Sequence, residues 1–171
     1  MTDTPRIYVA DLAAYNAGTL RGIWIDATKE LEEIYAEAQA MLAGSPEPIA
    51  EEWRIDDHEG FGGIHLSEWA NFEEVHKIAL LIEEHGALGA ELLSHWYHDV
   101  DEVRRLFDDG CYLGAYDSVA DYAQEITEET TEIPDHLQHY VDYASMARDM
   151  ELNGDIFTIE LSHEVHIFVN H

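Results

Sequence analysis

The sequence predicts an α+β fold in three small domains: an α+β module over residues 1–61, a helical bundle over 62–109 and a second α+β module over 110–171. Three observations lead there. Short β-branched and aromatic runs stand near both ends of the chain, and apolar residues between them recur at helical spacing. Glycines at Gly60, Gly62, Gly63 and Gly110 relax the backbone where those patterns change. With 46% hydrophobic residues in 171, the chain can build ordinary cores.

RIYVAD (6–11) alternates and reads as a strand, Tyr15-Asn16-Ala17-Gly18 as a loop and LRGIWID (20–26) as a second strand. A helix follows, with Asp26 or Thr28 placed to accept from its first free N–H groups and Glu30, Glu32 and Glu33 suited to its positive end. Leu31, Ile34, Tyr35, Ala38 and Leu42 share its inner face, and Gly44-Ser45-Pro46 stops it. EEWRIDD (51–57) reads as a third strand.

In the middle segment, Asn71 and Glu74 form a capping box before a helix that Gly86 closes in a left-handed conformation. Leu88, Leu92, Leu93 and Trp96 mark a second helix; Val100, Val103, Leu106 and Phe107 mark a third, ended by Gly110. In the last segment, CYLGAY (111–116) reads as a strand and Ser118 as the cap of a helix with Asp121 in the capping-box place. Val119, Tyr122, Ala123 and Ile126 form its inner face. Pro134 starts a short helical turn through Tyr140, Asp142 caps a helix closed by Asn153-Gly154, and IFTIEL (156–161) with VHIFV (165–169) form a hairpin around Ser162-His163-Glu164.

Charge is the unusual property. The chain holds 37 acids against 8 Lys plus Arg, a formal net of −29. Acids outnumber these bases 13 to 4 in residues 1–60, 9 to 3 in 61–105 and 15 to 1 in 106–171. Nucleic acid and anionic membranes repel such a chain, so basic proteins or cations are its natural partners. The acid-rich last third is also rich in large apolar residues, unlike a disordered acidic tail. Asp117, Asp121, Glu125, Glu128 and Glu132 recur every three or four residues and share the outer face of the predicted helix. A solvated face, general solubility or adaptation to high salt would each account for acids, although the many large apolar residues argue against salt adaptation.

Reactive constellations are not apparent. Gly60–Gly63 and Gly86–Gly89 lack the lysine and spacing of a phosphate loop. Cys111, a lone cysteine, has no nucleophile motif around it and fits a reducing compartment. Asp99-Val100-Asp101 opens like a calcium loop, but Val103 and Arg104 stand at the ligand and glycine positions. His85, His95 and His98, and His163, His166 and His171, form no HExxH pattern; core or surface histidines are the simpler reading. The expectation is a protein that is not an enzyme, with no cofactor and no metal. The start, MTDTPRIYVADL, carries no secretory pattern and no apolar run is long enough to span a membrane, so a cytoplasmic location is expected.

PRIYVADLAAYNAGTLRGIWIDA (5–27), EEWRIDDHEGFGG (51–63), HGALGAELL (85–93), LGAYDSVADYA (113–123) and VDYASMARDMELNGDIFTIE (141–160) together resemble the ArdA antirestriction proteins of plasmids, transposons and phages. The resemblance spans nearly the whole chain. It implies an elongated row of three small domains, dimerising through the last, that mimics B-form DNA and fills the DNA-binding groove of type I restriction–modification enzymes. On this resemblance the partner-facing carboxylates are Asp108, Asp109, Asp117, Asp121, Glu125, Glu128, Glu129, Glu132, Asp135 and Asp142, and the homodimer contact involves Phe107, Tyr112 and Tyr116. Binding to nucleic acid or membrane is not expected. The charge alone also admits an acidic chaperone, another inhibitor of basic nucleic-acid-binding proteins, or a small hydrolase using paired carboxylates.

Overall fold

The computed structural model describes residues 3–95 and 99–170; Trp96, His98 and His171 lie outside the described residues. The chain divides into two compact units, Met1–Val103 and Arg104–His171.

In the first unit, β1 (Arg6–Asp11), β2 (Gly22–Asp26) and β3 (Trp53–Glu59) form an antiparallel sheet in the order β2-β1-β3. Tyr8 pairs with Trp24 on one side of β1 and with Asp57 on the other. Ile7, Val9, Ile25 and Ile55 are buried beside the α2 (Leu31–Ala43) residues Ile34, Ala38, Met41 and Leu42.

Three local expectations are corrected here. Leu12–Asn16 forms a short helix, α1, where a loop was expected at Tyr15-Asn16, because Asp11 caps it by accepting from the Ala14 amide at 3.1 Å. Neither Asp26 nor Thr28 caps α2. The Asp26 carboxylate instead accepts from the Thr28 amide at 2.8 Å and hydroxyl at 2.6 Å, closing a turn, and Glu30 begins the helix without a side-chain cap. The second strand also starts at Gly22 rather than Leu20, which is exposed.

Asp11 is the one buried acid among the described residues. Burial pushes its carboxyl pKa up, but hydrogen bonds from Ser45, the Ala14 amide and Arg21 outweigh that and hold it below the usual range. Arg21 lies 3.2 Å from its Oδ2 and also donates to the Met41 carbonyl, tying α2 to the sheet.

The helical segment α3 (Phe72–His95) starts as expected, with Asn71 accepting from the Glu74 amide at 2.8 Å. Gly86 breaks it at φ 60°, ψ −144°, a conformation open essentially to glycine alone. The break lets Val75, Ile78 and Ile82 before it and Leu88, Leu92 and Leu93 after it all be buried. Phe72 stacks on Trp53 at 5.0 Å, Tyr35 donates to Glu73 at 2.7 Å, and His76 Nδ1 meets the Ala27 carbonyl at 2.9 Å. These contacts bind α3 to β3, to α2 and to the residue after β2.

α4 (Val100–Asp108) contains the division between the units. In the second unit, β4 (Tyr112–Tyr116), β5 (Ile156–Leu161) and β6 (Glu164–Val169) form an antiparallel sheet in the order β4-β6-β5. Helices α5 (Val119–Thr130) and α6 (Tyr143–Leu152) pack on each other, α5 also reaching β4 and α6 reaching β5. A 3-10 helix, Asp135–Tyr140, joins them. The core is small: among the described residues Cys111, Ala123, Ala147, Ile156, Ile159, Ile167 and Phe168 are buried. Phe168 stacks on Phe157 at 5.0 Å and meets Tyr112 and Phe107 at 5.0 and 6.0 Å.

Candidate functional site

The candidate surface is the acidic face of the second unit. All fifteen acids of this unit are exposed. In the first unit Asp11 is buried and Asp26, Glu37, Glu47 and Glu91 are half-buried, while the remaining acids are exposed.

α5 displays the densest part. Ser118 accepts from the Asp121 amide at 3.1 Å, and its hydroxyl donates to the Asp121 carboxylate at 2.9 Å. This N-cap fixes the start of the helix and with it the direction in which each carboxylate after it leaves the backbone. Ala123 is buried, with Val119, Tyr122, Ile126 and Thr127 half-buried beside it, so Asp121, Glu125, Glu128 and Glu129 face water. Gln124 donates to Glu128 at 3.0 Å.

The expected strip is longer than the helix that carries it. Asp117 precedes the Ser118 cap and Glu132 follows the last helical residue, Thr130. Both are exposed, but neither stands on the helical face, which holds Asp121, Glu125, Glu128 and, beside them, Glu129. Asp108 and Asp109 stand at the end of α4, Asp135 opens the 3-10 helix, and Asp142 caps α6 by accepting from the Ser145 amide at 3.0 Å and hydroxyl at 2.7 Å. Those hydrogen bonds, with Arg148 nearby, lower the Asp142 pKa. All ten carboxylates expected to face a partner are thus exposed. Among the described residues none of them forms an ion pair with lysine or arginine.

The first unit handles charge differently. Each of its five cations has an acidic partner: Arg6 with Glu59, Arg21 with Asp11, Lys29 with Glu37, Arg54 with Asp56 and Glu68, and Lys77 with Asp101.

Helix polarity adds to the picture. A helix C-terminus carries about half a negative charge, so cations stabilise it and acids weaken it. The last turns of α5 and α6 contain no basic residue. Glu128 and Glu129 occupy the first, Asp149 and Glu151 the second.

Phe107, Tyr112 and Tyr116 are half-buried. Tyr112 meets Phe107 at 5.6 Å, and its hydroxyl is 2.8 Å from His166 Nδ1. Tyr116 packs on Tyr122 at 5.3 Å and hydrogen bonds to Glu125, which, with burial, pushes its pKa up to about 12. Burial, then the Glu164 charge, also raises Tyr112. Both phenols stay neutral at physiological pH. Tyr112 and Tyr116 lie on β4, an edge strand, where Gly114 at φ 120° accompanies a shift in register against β6. Such an irregularity blunts strand addition along an edge. The Tyr116–Glu125 contact has no sequence signal, since the two side chains meet through the packing of α5 beside β4.

Comparison with known families decides the relationship. A family model described as antirestriction protein (ArdA) matches residues 7–165. The chain belongs to the ArdA family. No curated protein gives a match. The family is one of antirestriction proteins, which act against restriction enzymes. Among the described residues, no helix is long and apolar enough to cross a membrane.

Proposed function

We propose that this ArdA-family protein is a cytoplasmic, non-catalytic mimic of B-form DNA. In this proposal it occupies the DNA-binding groove of type I restriction–modification enzymes, so that DNA entering on a mobile element escapes cleavage. One observation carries the reading: the exposure of all fifteen acids in the second unit. A groove built for phosphates selects spaced negative charge without reference to base identity. Capped helices fix the backbone from which the carboxylates project, so binding has to order only their side chains.

The segments 1–61, 62–109 and 110–171 act in this proposal as successive carriers of charge, and two copies join through Phe107, Tyr112 and Tyr116. A homodimer carries twice the 29 net negative charges of one chain. That equals the charge of roughly 100 Å of duplex at one charge per about 1.7 Å.

The test is competition. Increasing inhibitor should displace cognate DNA from a purified type I enzyme, and the inhibitor should not shift DNA by itself. A stable ternary complex, with DNA still in the groove, would refute the mimic. Light scattering checks the assembly, where a monomer at micromolar concentration would remove the dimer.

A further inference from the structure

A 3-10 helix repeats every three residues, so side chains at i and i+3 lie one above the other. The stretch Asp135–Tyr140 therefore presents three ridges: Asp135 with Gln138, His136 with His139, and Leu137 with Tyr140. The first pairing is visible directly, as Gln138 donates to Asp135 at 3.4 Å. All six residues are exposed, Leu137 at 44% and Tyr140 at 83%. An apolar ridge thus faces water in a stretch bordered by Glu132, Asp135 and Asp142.

We propose that Leu137 and Tyr140 form an apolar anchor that seats on a cationic nucleic-acid-binding groove of a partner protein and supplies affinity that salt does not screen. This inference rests on the mimic reading above and assigns its surface a second component. Charge complementarity selects the occupant. The flanking carboxylates attract arginine and lysine, whose stems are apolar, and a guanidinium drawn in by them can stack on the Tyr140 ring. A second copy of this chain would instead bring two acidic surfaces together. Tyrosine is among the residue types that most often dominate binding energy at interfaces. Carboxylate contacts weaken as salt rises, whereas an apolar contact persists.

The test compares the wild type with Leu137→Ser/Tyr140→Ser and Tyr140→Phe, using an intact, purified type I restriction–modification enzyme and labelled inhibitor over a salt series. The double variant should bind at least about tenfold more weakly at every salt concentration with the same salt slope. Tyr140→Phe, which keeps the ring, should bind nearly as well as wild type. Circular dichroism should be unchanged in both, since neither residue is buried. Equal binding by the double variant would overturn the anchor and leave the mimic standing. So would a changed salt slope, or light scattering in which the double variant alone has become a monomer; the latter places the ridge between copies. If the wild type itself does not bind the enzyme, the mimic reading fails and the anchor fails with it.

Discussion

Replacing Glu125, Glu128, Glu129 and Glu132 together by glutamine should move affinity and stability in opposite directions. All four side chains are exposed and none pairs with lysine or arginine among the described residues. Against a wet cationic groove each is worth about 0.2–1 kcal/mol. If the four add, binding weakens by ~1–4 kcal/mol, or about fivefold to about a thousandfold. Within the protein the same change is favourable. Glu128 and Glu129 sit in the last turn of α5, where no base offsets them, and each costs about 0.3–1 kcal/mol there before salt screening. Glutamine at position 125 can still accept from Tyr116. Unfolding in denaturant should therefore show a raised midpoint with an unchanged slope. Affinity for a type I enzyme, measured across a salt series, should fall and lose part of its salt dependence. Unchanged affinity with raised stability would mean that the strip is only a solvated face. Lowered stability would refute the account of the helix end.

Two further outcomes concern the scaffold. Asp11→Ala removes the cap of α1 and the buried partner of Arg21, so stability should drop by ~2–4 kcal/mol by denaturant titration. Because the folded pKa of Asp11 lies below its unfolded value near 4, its contribution is complete above that value and disappears as pH falls through the folded pKa. The gap between wild type and Asp11→Asn should accordingly be constant above about pH 5 and narrow below about pH 4. The β5–β6 turn places Ser162 at φ 53° and His163 at φ 69°, a turn in which Asn-Gly is favoured; Ser162→Asn/His163→Gly should stabilise the protein by about 1 kcal/mol, seen as a higher denaturation midpoint.

The strands and most helices were legible because alternation, helical spacing and caps are local signals. Ser118 with Asp121, Asn71 with Glu74, and Asp142 before Ser145 each join residues three apart, and each forms the expected contact. Where the sequence misled, the deciding contact was either too short-lived along the chain or too distant. α1 is five residues long, below the length at which periodicity can be counted, and Asp11 looks like the end of a strand. The acidic strip was extended to Asp117 and Glu132 on spacing alone, yet the backbone is already extended at Thr131. Pro134 further disfavours helix at Ile133. The Trp53–Phe72 stack and the Tyr35–Glu73 hydrogen bond, which cross the glycine-rich stretch at 60–63, join residues far apart in sequence and carry no local signal. All ten candidate carboxylates were legible as exposed positions, since acids without a cationic partner seldom lie inside a core.

The placement of the acids is a stronger argument for an external reader than their number. A chain selected only for solubility could put its carboxylates anywhere on the surface, and helix N-termini and mid-helix faces would carry them at least cost. Here Glu128, Glu129, Asp149 and Glu151 crowd the two helix ends where carboxylates are least favourable, with no base in either last turn. Together they cost ~1–4 kcal/mol by the helix dipole, less in salt. A small core typically supplies only about 3–5 kcal/mol. The second unit buries just two small alanines from α5 and α6, Ala123 and Ala147, and its large buried side chains come from the sheet. General solubility does not account for holding charge at these positions on a scaffold with so little to spare. The proposed function does, because a groove shaped for phosphates would read the positions of negative charge.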